Sequence, residues 1–204
     1  MTTVFVEHAG QLMRMRPLMG LLLLFIVLQL CPVPLLGSEN SAEVVPGPES
    51  IGKEWFDSEA VVQPLTLSAA TQTIHVVTLN DATLGWLFRT DKIPPKCKGK
   101  HGEIILWVGL DTEGLIKGVK IIDHVEDKKH FSLLTTSGFF EQFFGRRATD
   151  DPAVVDTVTS ATRSSKAIRE EVLLGARHIA SQPEVAKKMI LKIKVADAFN
   201  TRLL

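Results

Sequence analysis

The sequence predicts an α+β fold: a mainly antiparallel sheet packed with helices, preceded by one N-terminal membrane-spanning or signal helix. Three observations carry that prediction. β-rich runs come first and helical periodicity second, an order that argues for an α+β domain rather than alternating βα units. Two apolar runs in the middle are joined by a short connection ending in glycine, as in an antiparallel hairpin. Residues 17–36 contain no charge and are long enough, at 1.5 Å per residue, to span the apolar core of a bilayer.

Taken in order, residues 1–37 form a leader and a signal-anchor helix. Arg14 and Arg16 precede the apolar run, and Ser38, Glu39 and Asn40 come after it. Pro32 and Pro34 weaken its far end, so the strong core, Leu18 to Leu30, also has the length of a cleaved secretory signal. Anchor and signal both remain open. Either one leaves the arginines in the cytoplasm and exports the chain beyond residue 40. Residues 38–53, rich in Pro, Gly, Ser and Glu, read as a flexible linker. A short helix is expected around Trp55 to Val62.

Strands are expected at 73–79 and 84–89, separated by the turn signal Asn80-Asp81. Residues 89–102 hold Lys, Pro and Gly and read as a loop. Strands at 103–110 and 115–124 pair through Asp111-Thr112-Glu113-Gly114. Ile121 and Ile122 point to opposite sides of the second strand, so both sheet faces are expected to be covered. A short helix is expected from Ser137 to Gly145, stacking Phe139 on Phe143 and Phe140 on Phe144. A longer one runs from Thr162 to Ala180, with Ile168, Val172, Ala176 and Ile179 on one face. Pro183 starts an amphipathic helix over 183–204, with Val185, Met189, Ile193 and Ala196 inward.

Composition excludes some function classes. Lys plus Arg and Asp plus Glu both total 23, so no global positive field gathers nucleic acid. No Cys or His spacing suggests a metal site. Cys31 lies in the apolar N-terminal run, which leaves Cys97 alone in the body of the chain. Lys96, Lys98 and Lys100 flank it, and lysines that close could lower its thiol pKa. The same lysines read as a solvated loop, or as a contact with lipid headgroups or a partner.

The stretch with chemical content is Asp156-Thr157-Val158-Thr159-Ser160-Ala161-Thr162-Arg163-Ser164-Ser165. Five of the seven side chains from Thr159 to Ser165 are hydroxyls and one is an arginine, where a loop enters a helix. A helix N-terminus offers unpaired N–H groups and partial positive charge, which together attract an anion. Hydroxyls add donors, and Arg163 could add a charge-assisted bond to phosphate. Ser and Thr also cap helices for purely local reasons, so on the residues alone capping and phosphate binding both stand.

This stretch resembles the attachment motif of extracytoplasmic FMN-binding domains, D-x-[VI]-[ST]-G-A-[ST]-x-[ST]-[ST]. Such domains occur in ion-pumping ferredoxin:NAD and NADH:quinone reductases and in the regulator of nitrous-oxide reductase. Ser160 stands where that motif has glycine. The hairpin ILWVGLDTEGLIKGVKIIDHVED is similar to the family's stretch leading to H-x-E, matched by His124 and Glu126, with Asp127 in place of the usual Thr or Pro. Phe139 to Gly145 resembles its F-x-x-x-F segment. The likeness covers about residues 84–180.

The resemblance implies that residues 54–182 are an FMN-binding domain and that FMN is the cofactor. It implies that a flavin transferase joins FMN to Thr162 through a phosphoester. Asp156, Thr159, Ser160 and Ala161 would serve as recognition element, with Ser164, His124 and Glu126 near the cofactor. The expected role is an electron carrier on the extracytoplasmic, periplasmic side. It would be tethered to the membrane through the N-terminal helix and would serve a membrane redox partner or complex. The rival reading is a membrane-tethered binding or assembly module without flavin. A hydrolase is disfavoured, because no G-x-S-x-G elbow surrounds the serines. Trp86, Trp107 and the phenylalanines could wall a flavin ring or simply fill the core.

Overall fold

The computed structural model describes residues 45–69 and 71–189. The leader and N-terminal helix, residues 38–44 of the linker and residues 190–204 lie outside the described residues. Among the described residues no helix is long and apolar enough to cross a membrane.

A five-stranded antiparallel sheet organises the chain: β1 (Val61–Leu67), β2 (Gln72–Leu79), β3 (Ala82–Arg89), β4 (Ile104–Asp111) and β5 (Ile116–His124). Their spatial order equals their order in sequence. The α+β prediction with an antiparallel sheet therefore holds. The hairpin turns as expected at 111–114, where Asp111 accepts from Glu113 N and Leu115 N, and Gly114 takes φ +78°. β1 was missed. Its Pro64 lowers the strand signal, which is tolerated because β1 is an edge of the sheet.

The helix expected around Trp55 to Val62 lies earlier, as α1 (Pro48–Trp55). Residues 48–53, read as part of the flexible linker, are thus helical. Proline suits the first helical position, and Ile51 is fully buried, so burial outweighs the linker-like composition. Trp55 then rests on a flat seat. Gly109 and Gly118 face each other across β4 and β5, and a Cβ added to either would come within 2.8 or 2.6 Å of the Trp55 ring.

The helix expected from Ser137 to Gly145 is also displaced. Its place is taken by α2 (Lys128–Thr136), and only a single 3-10 turn spans Phe140–Phe143. Asp127 caps α2 by accepting from His130 N. Ser137 ends the helix instead of starting one, because Gly138 at φ +71° breaks the chain direction. Phe139 meets Phe143 edge-on with ring centroids 5.5 Å apart, while Phe144 is exposed.

α3 (Thr162–Ala180) has the expected bounds, and Ile168, Val172, Ala176 and Ile179 are buried. They pack on the sheet face carrying Trp86, Phe88, Leu106, Val108 and Leu110. A further helix begins at Pro183, with Val185 buried and Met189 packed on the core. On the opposite sheet face α1 closes a smaller cluster of Ile51, Val77, Leu87 and Trp107. Ile121 faces the first cluster and Ile122 the second, so both faces are covered as predicted.

Candidate functional site

A cavity of about 250 Å³ opens at the N-terminus of α3. It is lined by three pieces of chain. Lys100 and His101 come from the loop before β4, Glu126, Asp127 and His130 from the turn into α2, and residues 160–164 from the motif. The main core behind α3 fixes that helix, so its first turn is held at the mouth of the cavity.

Ser160 shapes the approach. Its φ is +68°, the left-handed region that disfavours residues with a Cβ. The requirement for glycine at this motif position is therefore conformational, and serine meets it at a cost of about 1–2 kcal/mol. Ser160→Gly is expected to hold or raise stability, by no more than about 1 kcal/mol once unfolded-state entropy is counted. Urea unfolding checks this, and a loss larger than that would mean that the hydroxyl itself contributes.

Ser165 organises the loop from below. Its Oγ accepts from Val158 N at 3.1 Å and donates to Ala161 O at 3.0 Å. That leaves Thr162 and Arg163 exposed at the start of α3. The Thr162 hydroxyl donates only at 3.3 Å to Val158 O, a long bond that releases easily. No acidic residue lies in the first turn of α3.

Glu126 binds the three pieces together. Its side chain is buried and accepts from Ser164 Oγ at 2.5 Å and from His101 N at 2.7 Å. Burial pushes its carboxyl up. The bonds from Ser164 and from the backbone at His101, Lys100 and Gly102 outweigh that and hold it below its ordinary value. The carboxylate thus fills a nest of amides in the tight turn closed by Gly99 N to Gly102 O at 2.8 Å. A Cβ on Gly99 would lie 2.5 Å from the Glu126 oxygen, so only glycine fits there.

The remaining expected site residues are placed differently. His124 ends β5, stacks on Phe131 with centroids 3.7 Å apart, and accepts from Glu126 N through Nδ1 at 3.2 Å. It does not line the cavity and instead shapes the turn that presents Glu126. Asp156 and Thr159 are exposed and also lie outside the lining; the Asp156 N–H donates to Gln142 Oε1. Ser160, Ala161, Thr162 and Ser164 line it. Trp86, Trp107, Phe139 and Phe143 are buried in the core and form no wall of the cavity.

Sequence reasoning missed Lys100, His101 and His130 as cavity residues. The lysine run was visible but read as a loop, and no sequence signal marked His130. The expected effect of the lysines on Cys97 is corrected. Burial, then the charges of Glu171 and Glu170, push its thiol up instead of down. Among the described residues no cluster of acidic, His and Cys side chains could hold a metal ion.

The model of a family described as FMN-binding domain matches residues 99–173. That segment is an FMN-binding domain. It begins at Gly99, the residue that closes against Glu126, and includes the whole cavity lining. Among curated proteins none matches the chain. FMN is the cofactor of the domain, and the residues present suit its phosphate end. Exposed hydroxyls, Arg163 and Lys100 meet at a helix N-terminus, where N–H groups and the helix dipole favour an anion. The cavity falls below the roughly 300–1,000 Å³ usual for a site that encloses a ligand, which fits a seat for one end of FMN with the ring beyond it.

Proposed function

We propose that this protein is an extracytoplasmic electron-transfer flavoprotein, tethered to the membrane through its N-terminal segment. In this reading it carries FMN as a phosphoester on Thr162. The observation that carries the reading is the exposed Thr162 hydroxyl at the first turn of α3, facing a cavity with Lys100 and Arg163 and matched to an FMN-binding family. When bound, FMN supplies one- and two-electron chemistry. The chain's own residues hold and orient it. Thr162 would hold the phosphate, the N-terminus of α3 would receive its charge, and Lys100 and Arg163 would balance it. A covalent link suits a cofactor on the exported side, away from cytosolic flavin. A membrane donor or a redox complex would supply the electrons, and a flavin transferase the maturation.

The test is expression of the full chain with a flavin transferase, followed by denaturation, intact mass and in-gel flavin fluorescence. An FMN mass increment that vanishes in Thr162→Val is expected. Flavin released on denaturation would refute the covalent link while keeping the carrier. No flavin in either form would overturn the electron-transfer reading.

A further inference from the structure

The three pieces of chain that line the cavity carry more basic side chains than one phosphate needs. Residues 96–101 carry three lysines, residues 126–130 two lysines against Glu126 and Asp127, and residues 160–166 add Arg163 and Lys166. These three pieces of chain, distant in sequence, meet at one cavity. Together they hold five more positive than negative charges, in a chain whose 23 basic and 23 acidic residues cancel only as a whole. The six lysines, Arg163, His101 and His130 are exposed. Apart from His130, which pairs with Asp127 at 3.0 Å, none of this rim is in an ion pair among the described residues.

A phosphoester to Thr162 is a diester and carries one negative charge. Lys100 and Arg163, which line the cavity, already exceed that. Lys98, Lys129 and Lys166 lie outside the lining and are left over. Like charges this close repel one another, a cost offset only in part within the fold, where Lys96 acts on Glu171 and a backbone β-bridge sets Lys98 opposite Glu103. Such a rim raises the local potential and steers an oppositely charged partner to one spot.

We propose that this rim is the docking face for a partner protein with an acidic surface, which meets the cofactor at the mouth of the cavity. The location of the cofactor in this inference rests on the function proposed above. The acidic partner follows from charge complementarity. Asp127 and Glu126 do not spoil the complementarity, because the first caps α2 and the second is buried under its own donors.

The test uses the full-length chain carrying Thr162→Val, so that no covalent flavin is present, and a synthetic decaglutamate peptide as the probe. Amide shifts in an NMR titration are expected at residues 96–101, 127–130 and 160–166. The affinity should weaken about tenfold or more between about 20 mM and about 0.2 M salt, as screening removes the long-range attraction. The triple variant Lys98→Glu, Lys129→Glu, Lys166→Glu should weaken it about tenfold or more at low salt. Flavin attachment to the parent Thr162 chain with the same three changes should stay normal, because these lysines do not line the cavity. Shifts elsewhere, no shifts, or a response to bicelles containing phosphatidylglycerol with none to the peptide would overturn the proposal. Failure of flavin attachment alone would leave this readout intact, since it is made without flavin.

Discussion

Replacing Glu126 by alanine is expected to lower stability by on the order of 3 kcal/mol, or about 10 °C in Tm, and to cut flavin attachment at Thr162. The size reflects the donors that the carboxylate satisfies. Removing it orphans the Ser164 hydroxyl and the amides of the 99–102 turn, groups that now share one buried acceptor. Loss of that acceptor also frees Lys100 and His101 from α3, so the cavity loses its second wall. Glu126→Gln should fall between, because the amide oxygen still accepts but the NH2 faces other donors. The pH dependence has a definite sign. The folded value lies below the ordinary 4.5, so this contribution is complete above 4.5 and disappears as pH falls through the folded value. Urea unfolding and intact mass check both effects, and an alanine variant as stable as the parent would sink the assignment.

Glu171→Gln is expected to act the other way and to stabilise the protein at alkaline pH. Glu171 lies in α3, only 4 % exposed, with Oε2 unpartnered. Burial is the largest influence and pushes its carboxyl from 4.5 to about 8. The Cys97 N–H opposes the shift, the charges of Glu103 and Asp91 add to it, and Lys96 opposes it. The folded protein therefore keeps a proton that the unfolded chain releases above 4.5. Stability from this group is complete below 4.5, declines between 4.5 and about 8, and is flat beyond. At about 1.4 kcal/mol per pH unit the decline amounts to a few kcal/mol. Glutamine keeps the neutral shape and removes the titration, so its advantage should grow from about pH 5.5 to about pH 8. Parallel stability profiles for the two proteins would contradict this account.

The sheet and α3 were legible in the sequence because their signals are local and repeated. β-rich apolar runs separated by turn signals marked β2 to β5, and four residues spaced along one helical face marked α3. The failures depended on tertiary contacts. Residues 48–53 of α1 read as linker until Ile51 is seen fully buried and Trp55 seated on the glycines of β4 and β5. β1 contains a proline whose tolerance depends on its being an edge. The helix expected after Ser137 was lost to a glycine with positive φ, and its content moved upstream to the Asp127 cap. Within the site, the motif brings Thr162, Ser160 and Ser164 to one cavity because loop and helix are contiguous there. Lys100 and His101 are held at the cavity by the buried carboxylate of Glu126, and His130 by its bonds to Asp127, links that no spacing in the sequence encodes.

The two ends of the sheet differ in how they meet other molecules. An open strand edge is a template on which a second chain can extend the sheet, the first step of ordered aggregation. At β1 the proline at position 64 cannot donate, so an incoming strand would find the ladder interrupted in its middle. At β5 the entry is already occupied, with Gly145 N and Arg146 O bonded to Ile116 and Arg147 bridged to Leu115. An incoming strand therefore meets an interrupted ladder at β1 and a covered entry at β5.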